Sequence, residues 1–216
     1  MHMTVEGYRT KKYGVLALML GFSLMLFAQT AVKKDALQLY RERQYDAAIT
    51  VCEQEIKADP SNMDAYSVLI WSLLRQKRYL QAKERGLQAR KENSYDIRII
   101  EALGEAEYYL GKNDSALSYF QRYVSNARES DGDYVLSYYY MGEIYIKQSK
   151  FQHADIALTT AVKNKPDRAD YWTRLGYARE MCKEYASAIE AYDKALALNA
   201  NSSDAKSGKE RCQKRL

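Results

Sequence analysis

The sequence predicts an all-α protein made of stacked helix pairs, and three observations carry that prediction. First, 2 prolines and 10 glycines in 216 residues are too few for an all-β chain, which needs a turn about every 8–12 residues. Second, Ala48, Ala82, Ala116, Ala154 and Ala188 are separated by 34, 34, 38 and 34 residues, and Gly104, Gly142 and Gly176 by 38 and 34. Third, Pro60 and Pro166 lie 106 residues apart, three periods of 34 plus 4. All three series agree on one period and one four-residue insertion. A composition of 47% hydrophobic and 28% charged residues excludes wholesale disorder. The 20 tyrosines suit helix faces that need large, half-polar side chains.

The first element is not part of the repeats. Arg9, Lys11 and Lys12 precede an apolar run at residues 15–28, the pattern of a secretory signal peptide. The run is shorter than the about 20 residues of a comfortable membrane span. Residues 1–28 are therefore read as a signal peptide, with cleavage after Ala28. Leu26 stands where cleavage prefers a small residue, so retention as a short N-terminal anchor is the alternative. Positive flanks stay cytoplasmic, and both readings put the rest of the chain in the periplasm, free or anchored to the inner membrane. No cysteine ends the run, so a lipoprotein anchor is not expected.

The remaining elements follow the period. Repeats fall at 29–62, 63–96, 97–130, 135–168 and 169–202, with the insertion at 131–134 and a basic capping helix or tail at 203–216. In repeat one, Asp35 and Glu55 stand where later repeats have apolar side chains, which suits an end with no outer neighbour. In repeat two, Tyr66, Leu69 and Leu73 mark one helix face. Pro60 ends the helix before it, and Ser61 with Asp64 has the spacing of a capping box. Ile70 fills the small-residue site and Gly86 the large one, which suggests a compensating exchange. Cys52 occupies the site of Phe120, Leu158 and Tyr192, and reads as a small buried hydrophobe. In repeat three, Gly111 is a left-handed helix stop. The insertion Asp131-Gly132-Asp133-Tyr134 reads as a solvated turn. Small residues at 36, 104, 142 and 176 let paired helices approach closely.

The last unit, W-T-R-L-G-Y-A from Trp172 and then E-Y-A-S-A-I-E-A-Y-D-K-A-L from Glu184, resembles the tetratricopeptide repeat (TPR) family. The preceding unit does too, with Tyr138, Met141-Gly142, Tyr145, Ala154, Leu158, Ala161 and Pro166; a 34-residue helix–turn–helix period is that family's signature. The resemblance implies a right-handed α-solenoid of about five helix pairs whose concave side is lined by first helices. Family positions then put Lys33, Leu37, Tyr40, Arg41, Ser67, Trp71, Leu74, Arg75, Arg98, Glu101, Glu105, Tyr108 and Tyr109 on that side. Tyr139, Glu143, Ile146, Lys147, Thr173, Tyr177, Glu180 and Met181 complete it. Lys33, Tyr40, Arg41, Trp71, Arg75, Arg98, Glu105, Tyr108, Tyr139, Lys147 and Tyr177 are the candidate partner-binding residues. Lys33 is followed by Leu37 and not Asn, so the clamp that some TPR domains use for a C-terminal carboxylate is missing.

Charge and chemistry narrow the function. The chain carries +5; residues 1–28 contribute +2, and residues 206–216 alone hold five basic side chains against Glu210. The body between is nearly neutral, which argues against nucleic acid. Only His2 and His153 are present, and no phosphate-cradling loop, nucleophile elbow or zinc motif occurs. Glu101 and Glu105, one turn apart, read as a solvated or partner-facing edge. No enzyme activity, cofactor or metal is expected. Cys182 and Cys212 sit at nearly equivalent heights on neighbouring helices and are a candidate disulfide, subject to strict geometry. The expected function is a protein-interaction scaffold in the cell envelope that binds a protein or peptide segment. The alternatives are a small-ligand accessory protein of an envelope transport system, and a peripheral assembly factor touching the membrane through its N-terminal segment or basic tail.

Overall fold

Among the described residues, 35–216, the computed structural model contains eleven helices and no strand. The signal segment at 1–28 and Lys33 lie outside them. The helices are α1 (Ala36–Arg41), α2 (Tyr45–Ala58), α3 (Met63–Arg75), α4 (Tyr79–Glu92), α5 (Ile97–Tyr109), α6 (Asn113–Val124), α7 (Tyr134–Lys147), α8 (Phe151–Asn164), α9 (Ala169–Met181), α10 (Tyr185–Leu198) and α11 (Ser203–Gln213). Each packs on the next, giving five pairs and a closing helix. This is the expected α-solenoid.

Side-chain size sets the spacing within pairs. A methyl group on Gly104 would lie 2.8 Å from the Phe120 ring, and one on Gly142 would lie 2.5 Å from Leu158 Cγ. The large residue of each second helix thus rests directly on the backbone of the first, which fixes the period as alternating small and large positions. At Gly86 the space is taken by Leu103 of the following helix, 2.7 Å from where a Cβ would stand. The glycine therefore serves the junction to the next repeat.

Every turn within a pair uses one device. Arg43, Lys77, Gly111, Ser149 and Lys183 have φ of 61°, 59°, 74°, 56° and 65°. The next N–H reaches back over the helix end, as when Arg78 donates to Leu73 O at 2.9 Å and Glu184 to Arg179 O at 3.0 Å. This is the Schellman closure, for which glycine is suited, yet only one of the five is glycine. A left-handed non-glycine residue costs about 1–2 kcal/mol, and glycine's extra chain entropy offsets about half of that. The double substitution Lys77→Gly/Lys183→Gly is expected to stabilise the fold by about 1–2 kcal/mol in total, read as a higher urea midpoint with an unchanged slope.

The entry into α3 corrects the capping-box reading. Asn62 is the cap, its Oδ1 accepting from Ala65 N–H at 3.0 Å. Ser61 turns back, and its hydroxyl donates to Asp59 Oδ1 at 2.7 Å. Asp64 is thereby left to pair with Arg98 Nη1 of the next repeat at 2.6 Å.

Helix contacts define the inner side. First helices touch one another: α1 with α3, α3 with α5, α7 with α9, and α9 with α11. No two second helices make comparable contact, so the stack is tighter along the first helices. One step breaks the rule, for α5 and α7 do not meet in this way. Their connection after α6 runs through residues 125–133, nine residues where the other inter-repeat connections have four. The step is closed by a buried cluster that includes Phe120, Tyr140, Met141 and Ile144, with Tyr108 packed against it.

Candidate protein-interaction groove

The inner face is built from α3, α5, α7 and α9, and aromatic rings run across it in series. The Tyr79 ring stacks on Tyr109 at 4.6 Å between centroids, Tyr109 meets Tyr108 edge-on at 5.3 Å, and Tyr108 packs on Tyr140 at 4.7 Å. Tyr139 follows Tyr140 and stacks on Tyr171 at 4.4 Å. The Tyr109 and Tyr140 hydroxyls are 3.1 Å apart. Cations lie over several rings: Lys147 Nζ is 4.1 Å from the Tyr108 centroid, and the Arg174 guanidinium is 5.3 Å from that of Tyr177. Arg174 also pairs with Glu143. Burial pushes the Tyr108 phenol up to about 12, helped by Glu143, and burial raises Tyr139 and Tyr140 further. All three are neutral hydroxyls at physiological pH.

Acidic groups collect where α5 and α7 part. Glu101 and Glu105 are only 3% and 6% exposed, which corrects the solvated-edge reading. Desolvation by burial raises both carboxyls, with Glu101 carried well above the usual range. Asp133, from the insertion, is half-buried beside them and raised by the same cause, while Arg75 and Lys165 oppose the rise. The second half of the insertion therefore turns inward: Gly132 stays exposed, while Tyr134, the last residue, is buried as the first residue of α7. Arg75 Nη2 lies 4.0 Å from Glu105 Oε2. Among the described residues no group of three or more His, Cys, Asp or Glu side chains is placed to hold a metal ion.

Two tetratricopeptide-repeat family models match the chain, one over residues 35–141 and one over 139–203. The chain belongs to the tetratricopeptide repeat family. Among solved structures it is similar to MamA (20% identity, 76% of this chain and 88% of that one, TM-score 0.65). It is also similar to YrrB, a TPR protein with an unusual peptide-binding site (19% identity, 81% and 88%, TM-score 0.68). A third likeness is to the APC/C hetero-tetramer Cut9–Hcn1 (19% identity, 82% of this chain and 35% of that one, TM-score 0.69). Identities this low show the fold alone. No curated protein matches the chain.

Within the TPR stack the candidate residues have distinct fates. Tyr40 and Trp71 are half-buried, 6.0 Å apart between rings, and both rest on the first hydrophobic cluster. Arg41 is exposed at the end of α1, and Arg75 at the end of α3. Tyr108, Tyr139, Lys147 and Tyr177 belong to the ring-and-cation series, and Glu105 to the acidic group. Arg98 instead ties TPR units together: it bonds Asp96, the cap of its own helix, and Asp64 of the preceding unit. Sequence reading did not single out Tyr79, Tyr140, Arg174 or Asp133. For Asp133 the signal was the insertion, whose length was legible although its direction was not.

The end of the TPR stack is locked. Glu180 accepts from Arg211 Nε at 2.6 Å, from Arg211 Nη2 at 2.8 Å and from the Tyr192 hydroxyl at 2.7 Å. Lys209 pairs with Asp193 at 2.7 Å, so two of the five basic side chains of the tail hold the closing helix in place. The Cys182–Cys212 disulfide is not formed, and all three cysteines are free thiols. Cys212 is buried in a cluster with Ala188, Tyr192 and Ala205, whereas Cys182 caps α9 near Glu184 and Asp155. Their surroundings therefore differ despite similar heights. Burial pushes the Cys52 thiol up to about 12, as fits a side chain that acts as a hydrophobe. No described helix is long and apolar enough to cross a membrane.

Proposed function

We propose that this TPR protein is a non-enzymatic interaction scaffold that holds a segment of a partner protein along its inner groove, and that it works in the cell envelope. The accessible rings of Tyr79, Tyr109, Tyr108 and Tyr139, seated on the buried Tyr140 and Tyr171, with Lys147 over Tyr108 and Arg174 over the nearby Tyr177, are the observation that carries the reading. Tyrosine and arginine dominate interface hot spots. Rings also offer large contact area with few rotatable bonds, so ordering them costs little. TPR proteins are generally non-catalytic scaffolds, and the described peptide-binding site of YrrB supports the comparison.

A photo-crosslinking amino acid at Trp71 or Tyr109, on the inner side, is expected to capture one discrete partner in cells. The same group at Leu80 or Ile156, exposed on second helices, should capture none. Capture confined to Leu80 or Ile156 would overturn the groove. The envelope location rests on residues 9–28. Residues 1–34 fused to alkaline phosphatase, active only after export, should give an active enzyme, and an inactive fusion would overturn export.

A further inference from the structure

The groove reading leaves the carboxylates unexplained. Three acidic side chains gather where α5 and α7 separate, and they lie within electrostatic reach of one another. Glu101 is 97% buried by its 3% exposure, and its Oε1 has no hydrogen-bond partner. A buried acceptor without a partner is costly, and nothing in the packing of this step requires one. At this step first-helix backbones approach least, although Tyr108 and Tyr109 reach Tyr140 across it, and the long connection before α7 supplies Asp133. The groups facing Glu101 are Glu105 on its own helix, Asp133 just before α7, Tyr140 from α7, Arg75 from α3 and Tyr123 from α6. Arg75 is the one nearby cation of that set, and it does not fill the space. Its side chain is 48% exposed, and its contact with Glu105 is long at 4.0 Å.

We propose that the opening between α5 and α7 is a socket for one cationic side chain, arginine or lysine, of the segment bound in the groove, with Glu105 and Asp133 at its mouth and Glu101 at its base. The inference rests on the groove reading for the source of that side chain. Charge complementarity selects the occupant: three carboxyl groups share one long ion pair, Arg75–Glu105 at 4.0 Å, and a further positive charge among them would favour their ionised form. A guanidinium or ammonium group brings the donors that Glu101 Oε1 lacks. The aliphatic stem of the incoming residue would lie along Tyr109 and Tyr140, whose rings meet edge-on, as long cationic side chains do on apolar surface. A metal ion is the poorer occupant, because the carboxylates do not converge to ligand geometry among the described residues.

The test uses n-butylguanidinium on the purified protein, followed by NMR of the tyrosine rings. Saturable shifts at Tyr109 and Tyr140 are expected. They should be absent with neutral n-butylurea, and at least about tenfold weaker in Glu101→Gln and in Glu105→Gln/Asp133→Asn. No saturable shift, or one that these variants leave unchanged, overturns the socket. Thermal melts of each variant separate lost binding from lost fold. In parallel, pools of random 12-residue peptides with a fixed central Arg, Lys, norleucine or Glu are passed over the immobilised protein. Retention of the Arg and Lys pools, lost in the variants, supports the socket. Equal retention of all four pools overturns the socket and leaves the groove reading standing. Retention of none brings down the groove reading, and the guanidinium titration then decides the socket by itself.

Discussion

Glu101→Gln is expected to make the protein more stable, by about 1–3 kcal/mol at pH 8. The carboxylate is buried with one oxygen unpartnered, so ionising it in the folded state costs desolvation that a neutral amide avoids. The pH dependence fixes the sign. Glu101, Glu105 and Asp133 all have carboxyls raised in the fold. Between the unfolded carboxylate value of about 4 and the raised folded values, the native state holds protons that the unfolded chain has released. Stability therefore falls as pH rises through that window. Asp96, Asp170 and Glu180 are lowered, chiefly through hydrogen bonds from Arg98, Arg168 and Arg211. Their contribution is present above about pH 4 and is lost only as pH falls below it. Urea unfolding at pH 5 and pH 8 should show the wild type losing stability toward pH 8, with a smaller loss in Glu101→Gln. A variant less stable than wild type at pH 8 would mean that the carboxylate has a partner in the fold.

Tyr192→Ala is expected to cost about 3–5 kcal/mol, the largest single loss among these substitutions. The ring lies between two helix backbones. A methyl group on Gly176 would stand 2.7 Å from it on one side, and one on Gly208 2.2 Å from it on the other. Neither glycine has a side chain to collapse into the hole, so the cavity would remain open. The hydroxyl adds a bond to Glu180, which Arg211 also grips. Tyr192→Phe should therefore cost only about 1 kcal/mol. Chemical unfolding followed by circular dichroism distinguishes the two, and proteolysis of Tyr192→Ala should begin at the closing helix α11. Similar losses for Ala and Phe would show that the hydroxyl, not the ring, holds the end of the stack.

The fold was legible because its packing is written in residue size. Pairs such as Gly104 with Phe120 and Gly142 with Leu158 touch at distances that allow no other arrangement, so the period appears in the letters themselves. Helix entry was less legible. Ser61 and Asn62 are both competent caps, and only the path of the preceding turn assigns the role to Asn62. Four of the five left-handed turns were hidden because Arg43, Lys77, Ser149 and Lys183 carry no signature of that conformation. At the groove, the repeat register put Tyr108, Tyr109, Tyr139 and Tyr177 on the first helices, but not Tyr79, which opens a second helix, or Tyr140, which is buried. Arg98 did not, because its role depends on Asp64 one unit earlier. The burial of Glu101 and Glu105 depends on where Asp133 and α7 come to rest, which no spacing within α5 encodes.

The loose backbone approach of α5 and α7 also has a mechanical meaning. Everywhere else along the inner side, neighbouring first helices brace one another, so bending there means compressing packed side chains. At this step the backbones approach least and the brace is aromatic, with Tyr108 and Tyr109 of α5 reaching Tyr140 of α7, which Phe120 and Ile144 seat in the core. The coil is thus a spring with one softer turn, joined there by rings rather than by closely packed backbones. Load applied to its two ends would be taken up there first, as a change in the width of the gap lined by the carboxylates.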